Sequence, residues 1–531
     1  MRLLPYICCI AVVAVLSPVL AQDAIQSEAP AAVEANLPQP VTWLPPGRVG
    51  RVSLVSGNVD LRRSDEAGWV DAEPNQPVFA GEAVRTNPQA RSEISIGPNT
   101  INLSNGTEIG LVDLRDHFTQ ITVSRGRIEL HLHQIGDGET VEIDFPQGGV
   151  WLLGPGVYDI DAGDGDQPSR VAVFEGAAHL ASAGADTLIA AGQTAVLASS
   201  ELRVATIEPS VPDPFVEWCQ ERDYDITGLA ASYYVSPFMT GFAELDAAGV
   251  WKVDPDYGPV WFPTDLEWAP YRFGHWSWIA PWGWSWIDNQ PWGFAPSHYG
   301  RWALINEHWA WVPGSPVERP LYAPAVVAFL GTPGIGLSSE EGATAAWFPL
   351  APNEVYWPGY TRDVNYVRSL NLGNVQDIDA IGLQADGEPP LELFSMHFAN
   401  REFATVIPRS IFINGRAVAP ARLTLPEQRL QNAPVLMASP QIAPASAQRV
   451  ADAVNKPAST SADRVIVRVA HNKKGKPSGA LATLSRGRAQ PVIIRGAHLH
   501  APSYAGASGG RQVMLLRVAH IRGGAGRGAR H

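Results

Sequence analysis

The sequence predicts a mainly β protein that ends in a disordered basic tail, and three observations carry that expectation. The first is a fixed period in residues 249–313, which hold twelve of the eighteen tryptophans. Trp251, Trp276 and Trp302 are 25 and 26 residues apart, and Trp261, Trp286 and Trp311 are 25 and 25 apart. One spacing kept over three copies marks a repeated structural unit. The second is a series of short alternating apolar and polar runs from Arg48 to about Leu197, such as VGRVSLVSGNVDLR (49–62) and QITVSRGRIELHLH (120–133). Turn residues interrupt these runs about every eight to twelve positions, as in an all-β domain. The third is the count of 45 Pro and 49 Gly, which suits strands and loops better than helices.

The chain opens on Met1-Arg2, an apolar run, and Val19-Leu20-Ala21. That is the order of a secretory signal peptide (1–21) cleaved after Ala21. Cys8 and Cys9 sit inside the apolar run, not at its end, so a lipoprotein is not expected. Their loss with the signal would leave Cys219 alone and no internal disulfide. No later stretch reaches 18 consecutive apolar residues, so no transmembrane span is expected after cleavage. The mature protein should therefore be periplasmic or secreted. Residues 22–46, rich in Ala, Pro, Gln and Glu, read as a disordered spacer.

In the first β domain (47–198), Gly50 and Gly57 flank a strand. Gly81-Glu82-x-Val84-x-Thr86, Arg91-Ser92-Glu93-Ile94, Gly154-Pro155-Gly156-x-Tyr158, Glu175-Gly176 and Ala191-Gly192-Gln193 follow. This set resembles the FecR-like periplasmic domain over about 150 residues. The chain departs from that pattern at Gly97-Pro98-Asn99, where the family often has an Asp-Gly turn. Iron-signalling members also carry an anti-sigma segment and a membrane span ahead of this domain, where this sequence has a signal peptide. The resemblance thus implies an all-β envelope module and does not carry the signalling role with it.

Two clusters in this domain invite a metal reading. Glu129, His131 and His133 share one strand face, but no third and fourth ligand is evident nearby in sequence, so a polar solvent face is expected. Asp159, Asp161, Asp164 and Asp166 fail the EF-hand spacing because Gly163 takes the third ligand position, and they read as an acidic hairpin tip. No metal and no cofactor are expected. In the connector (199–230), Asp213-Pro214 starts a short helix, with Asp as N-cap and Pro at the first helical position. Phe215, Trp218, Cys219 and Arg222 follow at helical spacing, which makes Cys219 a buried apolar contact.

The repeats dominate residues 231–425. Each copy fits about two or three short strands with their turns. Gly283, Gly293 and Gly300 supply turns, and tryptophans two apart lie on one strand face. Gly249, Gly274 and Gly300 each precede a tryptophan by two residues, so Trp251, Trp276 and Trp302 are expected to fold over the missing side chain as structural contacts. The doublets Trp284 with Trp286 and Trp309 with Trp311 are the candidate ligand surface, since adjacent indoles can stack on sugar faces. The lead-in Tyr233-Tyr234-Val235, the closing Trp309-x-Trp311-x-Pro313-Gly314 and the later Trp347-Phe348-Pro349-Leu350-x-Pro352 resemble an uncharacterised tryptophan-rich family. That family is often attached to a FecR-like domain in bacterial envelope proteins, and the resemblance implies no activity. Strands such as ATVIPRSIFINGRAV (404–418) are expected to cap the repeats.

The formal charge of −14 hides an asymmetry. Residues 446–531 carry fifteen Lys and Arg against Asp452 and Asp463, a net of +13, which leaves −27 for residues 1–445. The low-complexity tail (426–531) should bind anionic polymers or fold back on the acidic body. It holds three copies of a β-prone theme, at 465–471, 492–498 and 514–520. Its RGG-like end would suggest RNA in a cytosolic protein, and export argues against nucleic acid. No nucleophile elbow, phosphate loop or complete metal set is present, so an enzyme is not expected. The leading expectation is a non-enzymatic exported envelope protein whose two β modules serve interaction or scaffolding. The alternatives are binding of peptidoglycan or a surface polysaccharide through exposed tryptophans, and a divergent FecR-type signalling component.

Overall fold

The computed structural model describes residues 44–445, apart from a few short stretches, and the strands Ile466–His471 and Pro477–Thr483. The expected signal peptide and nearly all of the spacer lie outside the described residues, as does most of the tail. The described chain is mainly β, and its first part contains two nine-stranded sheets between Gly50 and Pro209. Their pairing is antiparallel except where Thr140–Phe145 runs parallel to Phe118–Arg125. Val52, Leu61, Ile94, Leu111, Ile128, Ile143 and Tyr158 belong to one hydrophobic core shared by both sheets. The alternation along the strands thus hides one face and wets the other, as period-two patterning requires. Arg203–Pro209 pairs with Gln193–Ala198, so the sheet runs past the expected edge at 198.

The repeats fold as three β-hairpins. Gly249–Asp254 pairs with Gly258–Pro263, Gly274–Ile279 with Gly283–Asp288, and Arg301–Ile305 with His308–Val312. In each, the two period-setting tryptophans face one another across the hairpin: Trp251 with Trp261, Trp276 with Trp286, and Trp302 with Trp311. The first and third hairpins join through Trp261 and Trp311 into a four-stranded sheet, and the second stands apart. The copies are therefore equivalent in their local pairing without forming one continuous sheet.

A further sheet is built by Val327–Leu330, Gly342–Pro349 and Thr405–Pro408, with Val435–Leu436 at its edge. Trp347 and Phe412 from this region pack on Trp276 at ring-centroid distances of 5.2 and 5.6 Å. The segment 404–418 does cap the repeats, as a strand followed by the helix Arg409–Ile413. Ordered structure continues through the helix Glu427–Asn432 to the segment around Ile442, whose carbonyl accepts from the Trp284 indole at 2.8 Å. The expected start of the tail at 426 is thus too early, because these residues carry aliphatic side chains that fill the core. Among the strands of the later region, Ile466–His471 pairs with Pro477–Thr483 as a hairpin.

The two β parts meet through a buried polar seam. Arg51, 2% exposed, pairs with Glu244 and donates to the Asn75 Oδ1 (2.8 Å) and to the Pro291 carbonyl (2.7 Å). Asn75 in turn donates to the carbonyls of Asp288 (2.9 Å) and Gln290 (2.6 Å). It holds φ at 63°, a region an Asn tolerates better than most residues. Thr240 accepts from the Gly97 amide at 2.9 Å and donates to the Val49 carbonyl at 2.7 Å. Phe79 meets Trp282 edge-on at 4.9 Å, so the seam is also apolar.

His298 sits in the helix Phe294–His298, fully enclosed between Phe294 and Tyr322. Its Nδ1 lies 2.7 Å from the Ala323 carbonyl. Burial pushes its pKa down to about 3 against smaller opposing effects of backbone hydrogen bonds. The unfolded chain takes up this proton near the ordinary value of about 6.5 while the folded state refuses it. Stability from this group is present above about pH 6.5 and drains as pH falls towards 3. A denaturation series from pH 7 to 4 should show a shallower acid loss for His298→Gln than for the parent, and parallel curves would contradict this account.

Candidate functional site

Ten of the twelve repeat tryptophans are buried, including all four of the expected ligand-facing rings. Trp284 is 2% exposed, Trp286 and Trp311 0%, and Trp309 8%. Trp284 packs on Phe412 at 4.4 Å and Trp309 on Phe403 at 5.6 Å, so later chain covers both doublets. They form no open platform for a sugar. Trp276 and Trp302 are buried as expected, at 1% each, but Trp251 is partly exposed against Tyr234.

The packing over the glycines also differs from the expected one. The ring lying over each glycine does not belong to the tryptophan two residues later but to the one on the opposite strand. A Cβ on Gly249, Gly274 or Gly300 would come closer than 3.0 Å to the indoles of Trp261, Trp286 and Trp311 respectively. The sequence holds this signal, because the Gly-to-Trp offsets of 12, 12 and 11 are as regular as the offset of two. Four of the buried indole N–H groups donate to backbone or side-chain acceptors: Trp261 to Leu245 (3.0 Å), Trp302 to Pro296 (2.9 Å), Trp311 to Tyr299 (2.9 Å) and Trp286 to the Asp288 carboxylate (2.9 Å). Trp278, 47% exposed, is the one open ring among the twelve.

What the structure assembles instead is a polar cluster between the strand Arg127–Leu132 and the connector helix Pro214–Arg222. Asp213 caps the helix, accepting from the Phe215 and Val216 amides at 3.0 and 3.2 Å. It also takes Arg127 Nη1 at 2.6 Å, and Arg127 Nε binds both oxygens of Asp159 at 2.9 and 2.8 Å. Asp159 is 4% exposed, so it is a buried partner of Arg127 and no part of an acidic tip. Asp161 and Asp164 accept from nearby amides of Gly163 and Gln167, and Asp166 lies outside the described residues.

Further along the same strand, Glu129 is 2% exposed. The helix covers the face expected to meet solvent. Burial raises the Glu129 pKa to about 7, partly offset by a hydrogen bond with the Cys219 thiol. At the helix end, Asp223 Oδ2 lies 2.8 Å from His131 Nδ1, and its Oδ1 lies 2.9 Å from His133 Nε2. The two imidazoles stack at 3.9 Å with planes 16° apart. Burial alone would raise the Asp223 pKa, but the two imidazole bonds outweigh it and hold the carboxyl below the usual range. Burial works against protonated His131, and its bond to Asp223 overcomes that and raises its pKa. Sequence spacing could not pair Asp223 with residues ninety positions earlier; only the helix docking does.

Cys219 is buried as expected, 2% exposed, though its contact is polar. Burial and the Glu129 carboxylate push the thiol far above its usual range, so it carries almost no thiolate, the reactive form. With Cys8 and Cys9 replaced by serine, the folded protein should leave a thiol reagent at pH 8 nearly unreacted until denaturant is added. Rapid stoichiometric labelling of the folded chain would contradict that burial.

Comparison with known proteins adds little beyond the repeats. Residues 242–354 match the model of a family of unknown function, DUF6600. No curated protein matches the chain. Two crystal structures of a candidate anti-sigma factor from Parabacteroides distasonis ATCC 8503 are similar to part of it, with 13% and 14% identity. In both the match covers 25% of this chain and 60% of that protein, at a TM-score of 0.22, a likeness too small to argue from. The repeat region of the chain thus carries the DUF6600 pattern.

Proposed function

We propose that this is a non-enzymatic exported envelope protein whose FecR-like and tryptophan-rich β modules act as one rigid interaction scaffold. The seam around Arg51 supports this reading best, because a buried ion pair and a hydrogen-bonded Asn fix the modules' relative placement more firmly than a tethered pair would be fixed. The signal-like start (1–21) supports export, and the tail's net +13 supports salt-sensitive contact with anionic wall or lipid material. No helix of the described residues is long and apolar enough to cross a membrane. The test places a photo-reactive amino acid at Val250, Val253 or Tyr233, exposed by 54, 74 and 78%, in cells making the full chain. Discrete crosslinked species at these positions, with residues 1–21 absent from the intact mass, are expected. Retention of residues 1–21, or no adduct at any of the three, overturns the scaffold reading.

A second reading keeps glycan binding but moves it to a cleft lined by Tyr233, Tyr234, Tyr257, Asn353, Asn374 and Gln376. Phenol rings and side-chain amides offer stacking and hydrogen bonds to a neutral sugar without demanding charge. Sedimentation with insoluble peptidoglycan should then weaken for Tyr233→Ala combined with Tyr257→Ala and hold for Trp278→Ala. The opposite ranking sinks this placement.

A further inference from the structure

We infer that His131, His133 and Asp223 form a binding site for a late first-row divalent cation such as Zn²⁺, which clasps the connector helix to the N-terminal β module. The ligand atoms converge from two separate elements. The imidazoles come from the end of one strand, side by side, and the carboxylate from the residue that ends the helix Pro214–Arg222. One ring nitrogen of His131, one of His133 and an Asp223 oxygen all lie within 4.8 Å of one another. They need only small shifts to surround one ion. Two imidazoles and one carboxylate are a nitrogen-rich set that suits Zn²⁺ and its neighbours, and is poor for Ca²⁺ or Mg²⁺, which prefer oxygen.

The site is also held ready. Asp213 at the other helix end binds Arg127 at 2.6 Å, and Arg222 Nε, one residue before Asp223, binds Glu93 at 3.0 Å. The helix therefore cannot turn its last residue away without breaking contacts at both ends. The ligands are 22, 11 and 23% exposed at their side chains, which leaves an approach for the ion and a position for a water as fourth ligand. Without the ion, the two imidazole–carboxylate contacts satisfy the same three groups, so the helix docks in either state. With it, two hydrogen bonds are replaced by three coordinate bonds. Glu129 and Cys219 lie further in and bond to each other.

The test uses the full chain, stripped of metal by chelator dialysis, and titrates it with Zn²⁺ by calorimetry and with Co²⁺ by visible absorption. One tight equivalent is expected, with a Co²⁺ band of tetrahedral or five-coordinate intensity and a higher melting temperature. His131→Gln combined with His133→Gln should lose that equivalent, and Asp223→Asn should weaken it by at least about tenfold, the low end of what even an outer-shell change costs. His179→Gln, which removes a ring paired with Asp186 elsewhere, should change nothing. Circular dichroism of each variant separates loss of the site from loss of the fold; Asp223→Asn removes only one charge and is the variant to rely on if the double change unfolds. Unchanged binding in Asp223→Asn and in the double variant, as the tail histidines His471, His498, His500, His520 and His531 would give, overturns the proposal. So does the absence of any Zn²⁺ heat or Co²⁺ band.

Discussion

Replacing Trp286 or Trp311 by alanine should lower stability by about 3–5 kcal/mol, the range for removing a buried aromatic ring. Trp278→Ala should stay within about 0.5 kcal/mol, as surface changes usually do. Both large effects follow from one geometry. Each indole lies fully buried over the glycine on the opposite strand and donates its N–H within the core, Trp286 to Asp288 and Trp311 to Tyr299. Truncation opens a cavity and strands an acceptor, and neither strand can collapse because the neighbouring rings hold it open. Trp286 has Tyr271 and Trp276 at 5.8 and 5.5 Å. The reciprocal change should be as damaging. Gly274→Ala would press a methyl against the Trp286 ring and the Ile287 carbonyl, and backbone cannot step aside as a side chain can. Urea midpoints followed by far-ultraviolet circular dichroism measure all four. A Trp286→Ala midpoint equal to that of Trp278→Ala would show that the repeat is not built around this ring.

The period of the repeats was legible because it is written in consecutive residues. Counting from Trp251 to Trp276 to Trp302 locates the strands, and the hairpin pairing then follows from chain proximity. What covers those hairpins was not legible. Phe403, Phe412 and Ile442 close over Trp309 and Trp284 from more than ninety residues away. A doublet on one strand face reads the same whether that face meets water or another layer. Alternation fixes which residues share a face and leaves open what the face touches. The same limit explains the strand bearing Glu129, His131 and His133. Its polar face looks solvated until the helix carrying Cys219 and Asp223 is laid on it. That helix itself was readable from Asp213-Pro214, since a cap and a first-turn proline act within a few residues. Its destination was not.

The other large effect belongs to Arg51. Arg51→Met should cost about 3–5 kcal/mol, because it leaves the largely enclosed Glu244 carboxylate, 14% exposed, without its cation. It also removes the donor to Asn75 and to the Pro291 carbonyl, so the loss falls on the contact between the two β parts and not inside either. Scanning calorimetry of the parent should show the two parts melting together, and Arg51→Met should separate their transitions. A second change distinguishes charge from shape. Glu244→Gln in the same chain removes the orphaned charge, so the double variant should recover part of the loss and fall short of the sum of the single changes. Strict additivity would mean the two side chains do not act on one another across the seam. A single, unshifted transition in Arg51→Met would mean that the remaining contacts, among them Asn75, Thr240, Phe79–Trp282 and the Arg319–Glu139 ion pair, hold the parts together without it. The expected ranking puts Arg51 first among them, because it carries a formal charge and Glu244, Asn75 and the Pro291 carbonyl all engage its guanidinium.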